Sequence, residues 1–315
     1  MAIPIASKPV FVDCRDDISV FLTPEIREIV PDLDIFFGSP RDEDQLIERL
    51  QGRTHALIYM AYVSERVLST CPDLQAIVYL STGLATHIDL DAAGRTEIRI
   101  EGVRAYGDRA VAEHAIGLAF DALKKLSVMD REIRHGAWRL KQGRELGGKT
   151  FGLIGLGGIG SETARMAAAL GCRVVGWNRS RIPSSHRAEI LTFDEVLTQS
   201  DILSLHLALT PETINILGSA EISRMKPGAI LINTARAQLV NEQALCQALG
   251  DGRIEHAALD VFHEEPLPPD HPMTGMENIT LSAHSGWFTA EAIGRLLERG
   301  FQQLADQLAP NGGTP

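Results

Sequence analysis

Cysteine is scarce in this chain and never closely spaced. Cys14, Cys71, Cys172 and Cys246 are the only four in 315 residues, and none belongs to a CxxC pair. That spacing excludes a zinc ribbon or a disulfide framework, so we expect reduced thiols and no metal site. Positive charge is also in deficit. Lys and Arg total 30 against 41 Asp and Glu, a formal net charge of −11. Phosphate backbones and anionic lipid are held mainly by clustered cations, so neither nucleic acid nor membrane is an expected partner. One small anion in a local basic pocket stays compatible with this balance. No apolar run approaches the roughly 18 residues that a transmembrane helix requires. The opening "MAIPIASKPVFVDC" lacks a charged leader followed by a long apolar core. These absences predict a soluble, cytoplasmic protein.

What is present is alternation. Up to about residue 100, "PVFVDC", "LDIFF", "HALIYM", "LQAIVYL" and "EIRIEGV" read as strands, with "DEDQLIERLQG" and "SERVLSTCP" as helices between them. Such a pattern implies a parallel sheet covered on both faces. A long helical stretch at 109–126 follows, and the alternation then restarts. "TFGLIGL", a helix from Ile159 to Leu170, "CRVVGW", "DILSLHL", "AILINT", a helix near 241–250, "HAALDVF" and "NITLSAH" make a second doubly wound sheet. The final stretch is a helix by spacing, with Ile293, Leu296, Leu297, Phe301, Leu304 and Leu308 on one stripe. The expected fold class is therefore α/β, with two doubly wound parallel-sheet domains. The terminal "PNGGTP" should be frayed.

The glycine loop is the first chemical signal. "GLGGIG" places Gly155, Gly157 and Gly160 in GxGxxG spacing, between an apolar strand and a helix. Gly155 permits a tight turn, Gly157 lets backbone approach a pyrophosphate, and Gly160 lets the helix sit close to the strand. Gly158 and Ile159 complete the loop at the helix N-terminus, whose N–H groups favour an anion. The next strand ends in "VVGWNRSR". NAD-binding proteins usually place a carboxylate there for the ribose 2′-hydroxyl, but this chain has Asn178, Arg179, Ser180 and Arg181. Guanidinium groups beside a hydroxyl suit a 2′-phosphate, which a carboxylate would repel. NADP(H) is the preferred coenzyme on this reading, with NAD possible.

Three later strand ends each carry a polar group: Arg236 in "INTARAQLV", Glu265 in "ALDVFHEEPLP" and His284 in "LSAHSGWFTAE". With "SDILSLHLALTPET" between them and the glycine loop, the order of motifs resembles the D-isomer-specific 2-hydroxyacid dehydrogenase family over nearly the whole chain. The resemblance implies a Rossmann-type coenzyme domain (102–284) inserted into a flavodoxin-like substrate domain (1–101 and 285–315). It also implies an active site in the cleft and a homodimer formed through the coenzyme domains. Arg236 would clamp the carboxylate and carbonyl oxygens of a 2-keto acid. His284 would deliver a proton to the carbonyl oxygen, and Glu265 would favour the imidazolium and fix the ring. Glu265 is preferred to Glu264 because it directly precedes Pro266. His206, Thr234 and Ala235 match coenzyme contacts, and Asp260 matches a position near the nicotinamide carboxamide. The amides around Thr82 and Gly83 in "STGLA" should face the substrate carboxylate. His114, on the long helix, is expected to be structural.

Several positions depart from the family pattern. Ala237 stands where a Gly usually follows the catalytic Arg, Ala208 replaces a usual Pro, and the substrate loop lacks a frequent second glycine. Tyr62 and Trp287 could line the pocket and favour a larger substrate, or could simply pack. The expected activity is NADP(H)-dependent reduction of a 2-keto acid to a D-2-hydroxy acid, of the glyoxylate/hydroxypyruvate type. One rival is an NAD-dependent dehydrogenase for another acid such as phosphoglycerate, disfavoured by the few basic residues in the substrate loop. Another is a non-catalytic dinucleotide sensor resembling transcriptional corepressors, which predicts long interaction tails where this sequence has short termini.

Overall fold

Strand periodicity accounts for the first sheet. In a computed structural model that describes residues 8–84, 87–179 and 187–309, β1 (Pro9–Cys14) is buried along its whole length. Alternate residues of such a strand face opposite sides of the sheet. Val10 and Val12 join Leu46 and Leu50 of the helix Glu43–Leu50 in one core, whereas the Phe11 ring meets Phe301 edge-on at 6.3 Å. Phe301 lies on the helix Ala290–Leu308. β2 (Asp34–Phe37), β3 (His55–Ile58), β4 (Ala76–Tyr79) and β5 (Arg99–Gly102) complete a parallel sheet of order β2-β1-β3-β4-β5. The predicted C-terminal stripe is buried from Ile293 to Leu304. A Phe301→Ala truncation would cost about 3–5 kcal/mol, in the usual range for a buried ring.

A second sheet follows the helix Asp108–Lys124. Its strands are β6 (Thr150–Ile154), β7 (Arg173–Trp177), β8 (Glu189–Ile190), β9 (Ile202–Leu205), β10 (Ala229–Asn233), β11 (Ile254–Leu259) and β12 (Ile279–Leu281). The order is β12-β11-β10-β9-β6-β7-β8, parallel throughout, which is the doubly wound arrangement with its switch between β6 and β9. Leu203, Leu205, Leu231 and Leu259 face helices carrying Val196, Leu197, Ile222 and Leu245. Phe151, Leu153, Ile230 and Ile232 face the other way, onto Ala115, Ala119, Ala164 and Ala167. Alanines there let the helices Asp108–Lys124 and Gly158–Ala169 approach the strands closely.

The chain divides into two compact units, 1–107 with 289–315, and 108–288. The resemblance implies 102–284 for the coenzyme domain; the second compact unit spans 108–288, and β5, which includes Gly102, belongs to the first sheet. The predicted 109–126 helix also ends sooner, since Lys125 is left-handed (φ 56°) and starts the separate helix Leu126–Arg134. Among the described residues no helix is long and apolar enough to cross a membrane, and no group of His, Cys, Asp and Glu could hold a metal.

Candidate active site

The carboxyl ends of the second sheet line up in one row. Trp177 pairs with Ile154, Ile154 with Leu205, Leu205 with Asn233, Asn233 with Leu259, and Leu259 with Leu281. All the strands are parallel, so the segments leaving this row emerge on the same edge, at about 4.8 Å per strand. Gly155 follows β6, Asn178 and Arg179 follow β7, His206 follows β9, the 234–236 turn follows β10, Asp260 and Glu265 follow β11, and His284 follows β12. Ligands in open α/β sheets bind along this edge. Ser180 and Arg181 lie outside the described residues. Thr82 and Gly83 belong to the other unit, just past β4.

Each glycine of the loop has its own physical reason. Gly155 is left-handed (φ 100°), and a Cβ there would lie 2.5 Å from the carbonyl oxygen of His206. A Cβ on Gly160 would lie 2.1 Å from the oxygen of Gly155. Gly157, at the N-cap of the helix Gly158–Ala169, has nothing within 4 Å of a Cβ and no side-chain cap. Its bare backbone opens onto space that a pyrophosphate can approach. A Cβ on Gly158 would meet the Asp108 carboxylate at 1.9 Å, so a side chain there would displace Asp108. Asn178 turns back to the loop, its Oδ1 accepting from the Leu156 N–H at 3.1 Å. Arg179 is exposed, with Glu212 at 3.9 Å as an ion-pair partner. His206 Nε2 lies 3.0 Å from Ser204 Oγ, and desolvation pushes its imidazole down to about 4, so the ring is neutral.

The turn after β10 is held by a residue that the sequence reading passed over. Asn233 is 2% exposed. Its Oδ1 accepts from Ala235 N–H at 3.0 Å, and its Nδ2 donates to the Arg236 carbonyl at 2.9 Å. An Asn closing its own following turn is a familiar local motif, so the signal in "INTAR" was readable. The Arg236 guanidinium is half-buried and donates to the Ala235 carbonyl at 2.7 Å. Thr234 Oγ1 is buried without a hydrogen-bond partner among the described residues. A buried hydroxyl left unpaired is costly, so this orphan marks where a bound group is expected. Together with the bare Gly157 backbone, it fits a dinucleotide.

Glu265 and His284 are brought together. His284 Nδ1 lies 2.7 Å from Glu265 Oε2, and Glu265 Oε1 accepts from the Phe262 N–H at 2.9 Å. His284 is left-handed (φ 50°), which costs an L-residue about 1–2 kcal/mol. Its neighbours hold that shape. Asp260, 2% exposed, accepts from Ser282 Oγ at 2.6 Å, Ser285 N–H at 3.0 Å and Gly286 N–H at 2.9 Å. Burial alone would push this carboxyl up. The hydrogen bonds from His114, Ser282 and the Ser285 and Gly286 amides outweigh it and hold Asp260 below its ordinary value. His114 Nε2 stands 2.9 Å from Ser282 Oγ and 3.4 Å from Asp260 Oδ1. Trp287 packs edge-on against Phe288 at 5.2 Å, and Tyr62 is exposed in the other unit.

Comparison with known proteins follows the same lines. Residues 116–286 match the model of the D-isomer specific 2-hydroxyacid dehydrogenase NAD-binding domain. A glyoxylate reductase of Aeropyrum pernix is 38% identical over 71% of this chain and 70% of its own length. A glycerate dehydrogenase of Methylorubrum extorquens is 35% identical over 85% and 84%. Among solved structures, an acyclic imino acid reductase in complex with NADPH and D-Arg superposes with a TM-score of 0.81 at 28% identity, covering 92% of this chain and 94% of that one.

Proposed function

The chain belongs to the D-isomer specific 2-hydroxyacid dehydrogenase family, and from that premise we propose that it reduces a small 2-keto acid to the D-2-hydroxy acid with NADPH. Membership makes it an NAD(P)-dependent oxidoreductase acting on 2-keto or 2-hydroxy acids. The preference for NADPH and the residue roles are our reading. The observation that carries it is the 2.7 Å pair of His284 and Glu265 on the sheet edge that also bears the glycine loop.

A bound nicotinamide supplies the hydride. Arg236 holds the carboxylate of the keto acid, since its planar guanidinium can take two oxygens at once. His284 accepts its orientation from Glu265 through Nδ1, which leaves Nε2 to donate a proton to the carbonyl oxygen. In the reverse direction Nε2 takes that proton back. The amides of Thr82 and Gly83 bind the substrate carboxylate, an assignment carried by the resemblance. Gly155, Gly157, Gly158, Ile159 and Gly160 receive the pyrophosphate, and Asn178 keeps that loop in place. Thr234 and Ala235 face the coenzyme, as does neutral His206, and Asp260 supports the nicotinamide end through the loop it anchors. Arg179, Ser180 and Arg181 bind the 2′-phosphate. Arg179 supports this because its Glu212 partner stands at 3.9 Å, both side chains being largely exposed, a weak pair that a phosphate can replace. The NADPH held by the 28%-identical imino acid reductase points the same way.

Two further parts of the reading concern assembly and location. Trp138 is 83% exposed and Leu140 93%, an apolar pair next to the helix Leu126–Arg134. A second copy of the chain is the partner that would cover them, giving a homodimer. The four cysteines are free, in keeping with a cytoplasmic protein. The experiment that tests the function is a matrix of NADPH and NADH against glyoxylate, hydroxypyruvate, pyruvate and bulkier 2-keto acids. Turnover with NADPH on at least one acid is expected. A folded protein that turns over none of them with either coenzyme would overturn the reading.

A further inference from the structure

The mechanism above makes no use of His114, yet this side chain reaches the loop that carries the catalytic imidazole. It stands on the helix Asp108–Lys124, 168 residues away in sequence from Ser282. Ser282 Oγ spends its own proton on Asp260 Oδ1 at 2.6 Å. The 2.9 Å contact between His114 Nε2 and Ser282 Oγ therefore has the imidazole N–H as donor. Asp260 in turn accepts the amides of Ser285 and Gly286, the two residues after His284. His114, Ser282 and Asp260 thus form one line of donors and acceptors ending on the backbone that holds His284 at φ 50°. The fit is close. A Cβ on Gly286 would come within 3.0 Å of Asp260 Oδ2 and 3.2 Å of His114 Cδ2.

We infer that His114 is a positioning residue for catalysis: its Nε2–H fixes Ser282 and Asp260, and through them the left-handed turn that aims His284. Without that donor, Ser282 Oγ loses a partner, the Asp260 carboxylate loses the imidazole that stands 3.4 Å from its Oδ1, and the two amides are held less firmly. The imidazole of His284 stays tied to Glu265 but samples a wider range of directions. Misplacement of a catalytic group by about 1 Å can cost about a hundredfold in rate, so a distant donor can matter to the chemical step. The inference rests on the proposed role of His284, and one of its readouts is independent of activity.

The test uses the full-length protein and the variants His114→Leu, His114→Gln and Ser282→Ala. Hydrogen exchange of the segment 282–288 is measured beside kcat, KM and the NADPH dissociation constant. For His114→Leu the expected result is faster exchange of the Ser285 and Gly286 amides and a fall in kcat of about tenfold or more, with NADPH affinity within about twofold. His114→Gln, which offers an N–H at similar reach, should recover most of both losses. If His114→Leu fails to fold, Ser282→Ala carries the same expectation. Unchanged exchange with kcat within about twofold of wild type, or a Gln variant as impaired as Leu, would overturn the inference. A wild-type protein inactive on every keto acid overturns the parent reading instead, and the exchange data still decide the role of His114.

Discussion

His284 Nδ1 and Glu265 Oε2 stand 2.7 Å apart across the ends of two neighbouring strands, β12 and β11. In the proposed mechanism this pairing leaves Nε2 as the ring atom that exchanges a proton with substrate. Removing the ring should remove the proton transfer but not coenzyme binding. His284→Gln is therefore expected to lower kcat by about 10²–10⁴-fold, the usual share of general acid–base catalysis. Glu265→Gln keeps a hydrogen-bond acceptor on the ring and should cost less. Steady-state NADPH oxidation, with NADPH affinity measured separately by fluorescence titration, checks both. A His284→Gln variant with near wild-type kcat would remove the imidazole from the mechanism.

Coenzyme choice is predicted to follow Arg179. A carboxylate there would repel a 2′-phosphate and accept a hydrogen bond from a 2′-hydroxyl. Arg179→Asp should lower the NADPH/NADH ratio of kcat/KM by about ten- to a hundredfold, the worth of one charge-assisted hydrogen bond of roughly 1.5–3 kcal/mol. An unchanged ratio, measured on the same keto acid, would mean that the 2′-phosphate is not read at the end of β7.

Legibility in the sequence followed locality. The glycine loop was readable because it sits in one short stretch between an apolar strand and a helix, with Gly155 left-handed and Gly160 packed on the Gly155 carbonyl five residues away. Strands such as β1 and β10 were readable because burial on both faces makes them continuous apolar runs. The helix Phe193–Gln199 was missed although Thr192 and Glu195 form a capping box, a spacing signal that was available. The break at Lys125 was not available. It is a left-handed lysine, with Asp121 binding both the amide and the hydroxyl of Ser127 at 2.7 and 2.9 Å. His114 was equally opaque, because its partners are contributed by strand ends far along the chain. A histidine on a helix carries no mark of what tertiary structure will set against it.

Acid should destabilise the second unit well above the carboxylate range. His256 is 3% exposed, its Nε2 lies 2.8 Å from Thr280 Oγ1, and burial pushes its imidazole from 6.5 down to about 4. The unfolded chain therefore binds a proton at pH values where the folded chain does not. Stability from His256 is full above pH 6.5 and is lost progressively as pH falls toward 4, with a slope of at most about 1.4 kcal/mol per pH unit. His206 is shifted in the same direction. Thermal melts from pH 7.5 to 4.5 should show Tm falling below pH 6.5, and His256→Gln should flatten that fall without abolishing it. Parallel curves for variant and wild type would contradict the assignment.

Assembly is expected to depend on the exposed pair Trp138 and Leu140. Large apolar side chains at 83% and 93% exposure are unusual on a surface that remains in water. Placing a charge at both, Trp138→Glu with Leu140→Glu, should convert a dimer into a monomer in light scattering, because an uncompensated carboxylate is costly to bury in an interface. Wild-type protein that is already monomeric at micromolar concentration would remove the homodimer from the reading.

The glycine loop separates folding from binding in one experiment. A side chain on Gly160 meets the Gly155 carbonyl at 2.1 Å, so Gly160→Ala must push the helix Gly158–Ala169 away from the strand. It is expected to lower Tm and to weaken NADPH binding together, with a stability loss of about 1–3 kcal/mol, typical of overpacking. Gly157 has φ −70°, which any L-residue adopts, and open space where its Cβ would stand. Gly157→Val should therefore leave Tm within about a degree or two while raising the NADPH dissociation constant, because surface changes away from packing are nearly neutral for stability. The two variants differ by one turn of the same motif: packing alone separates their Tm, and only an occupant of the space beside Gly157 makes Gly157→Val lose binding while it keeps its stability. If Gly157→Val binds NADPH as wild type does, the pyrophosphate does not lie over that backbone.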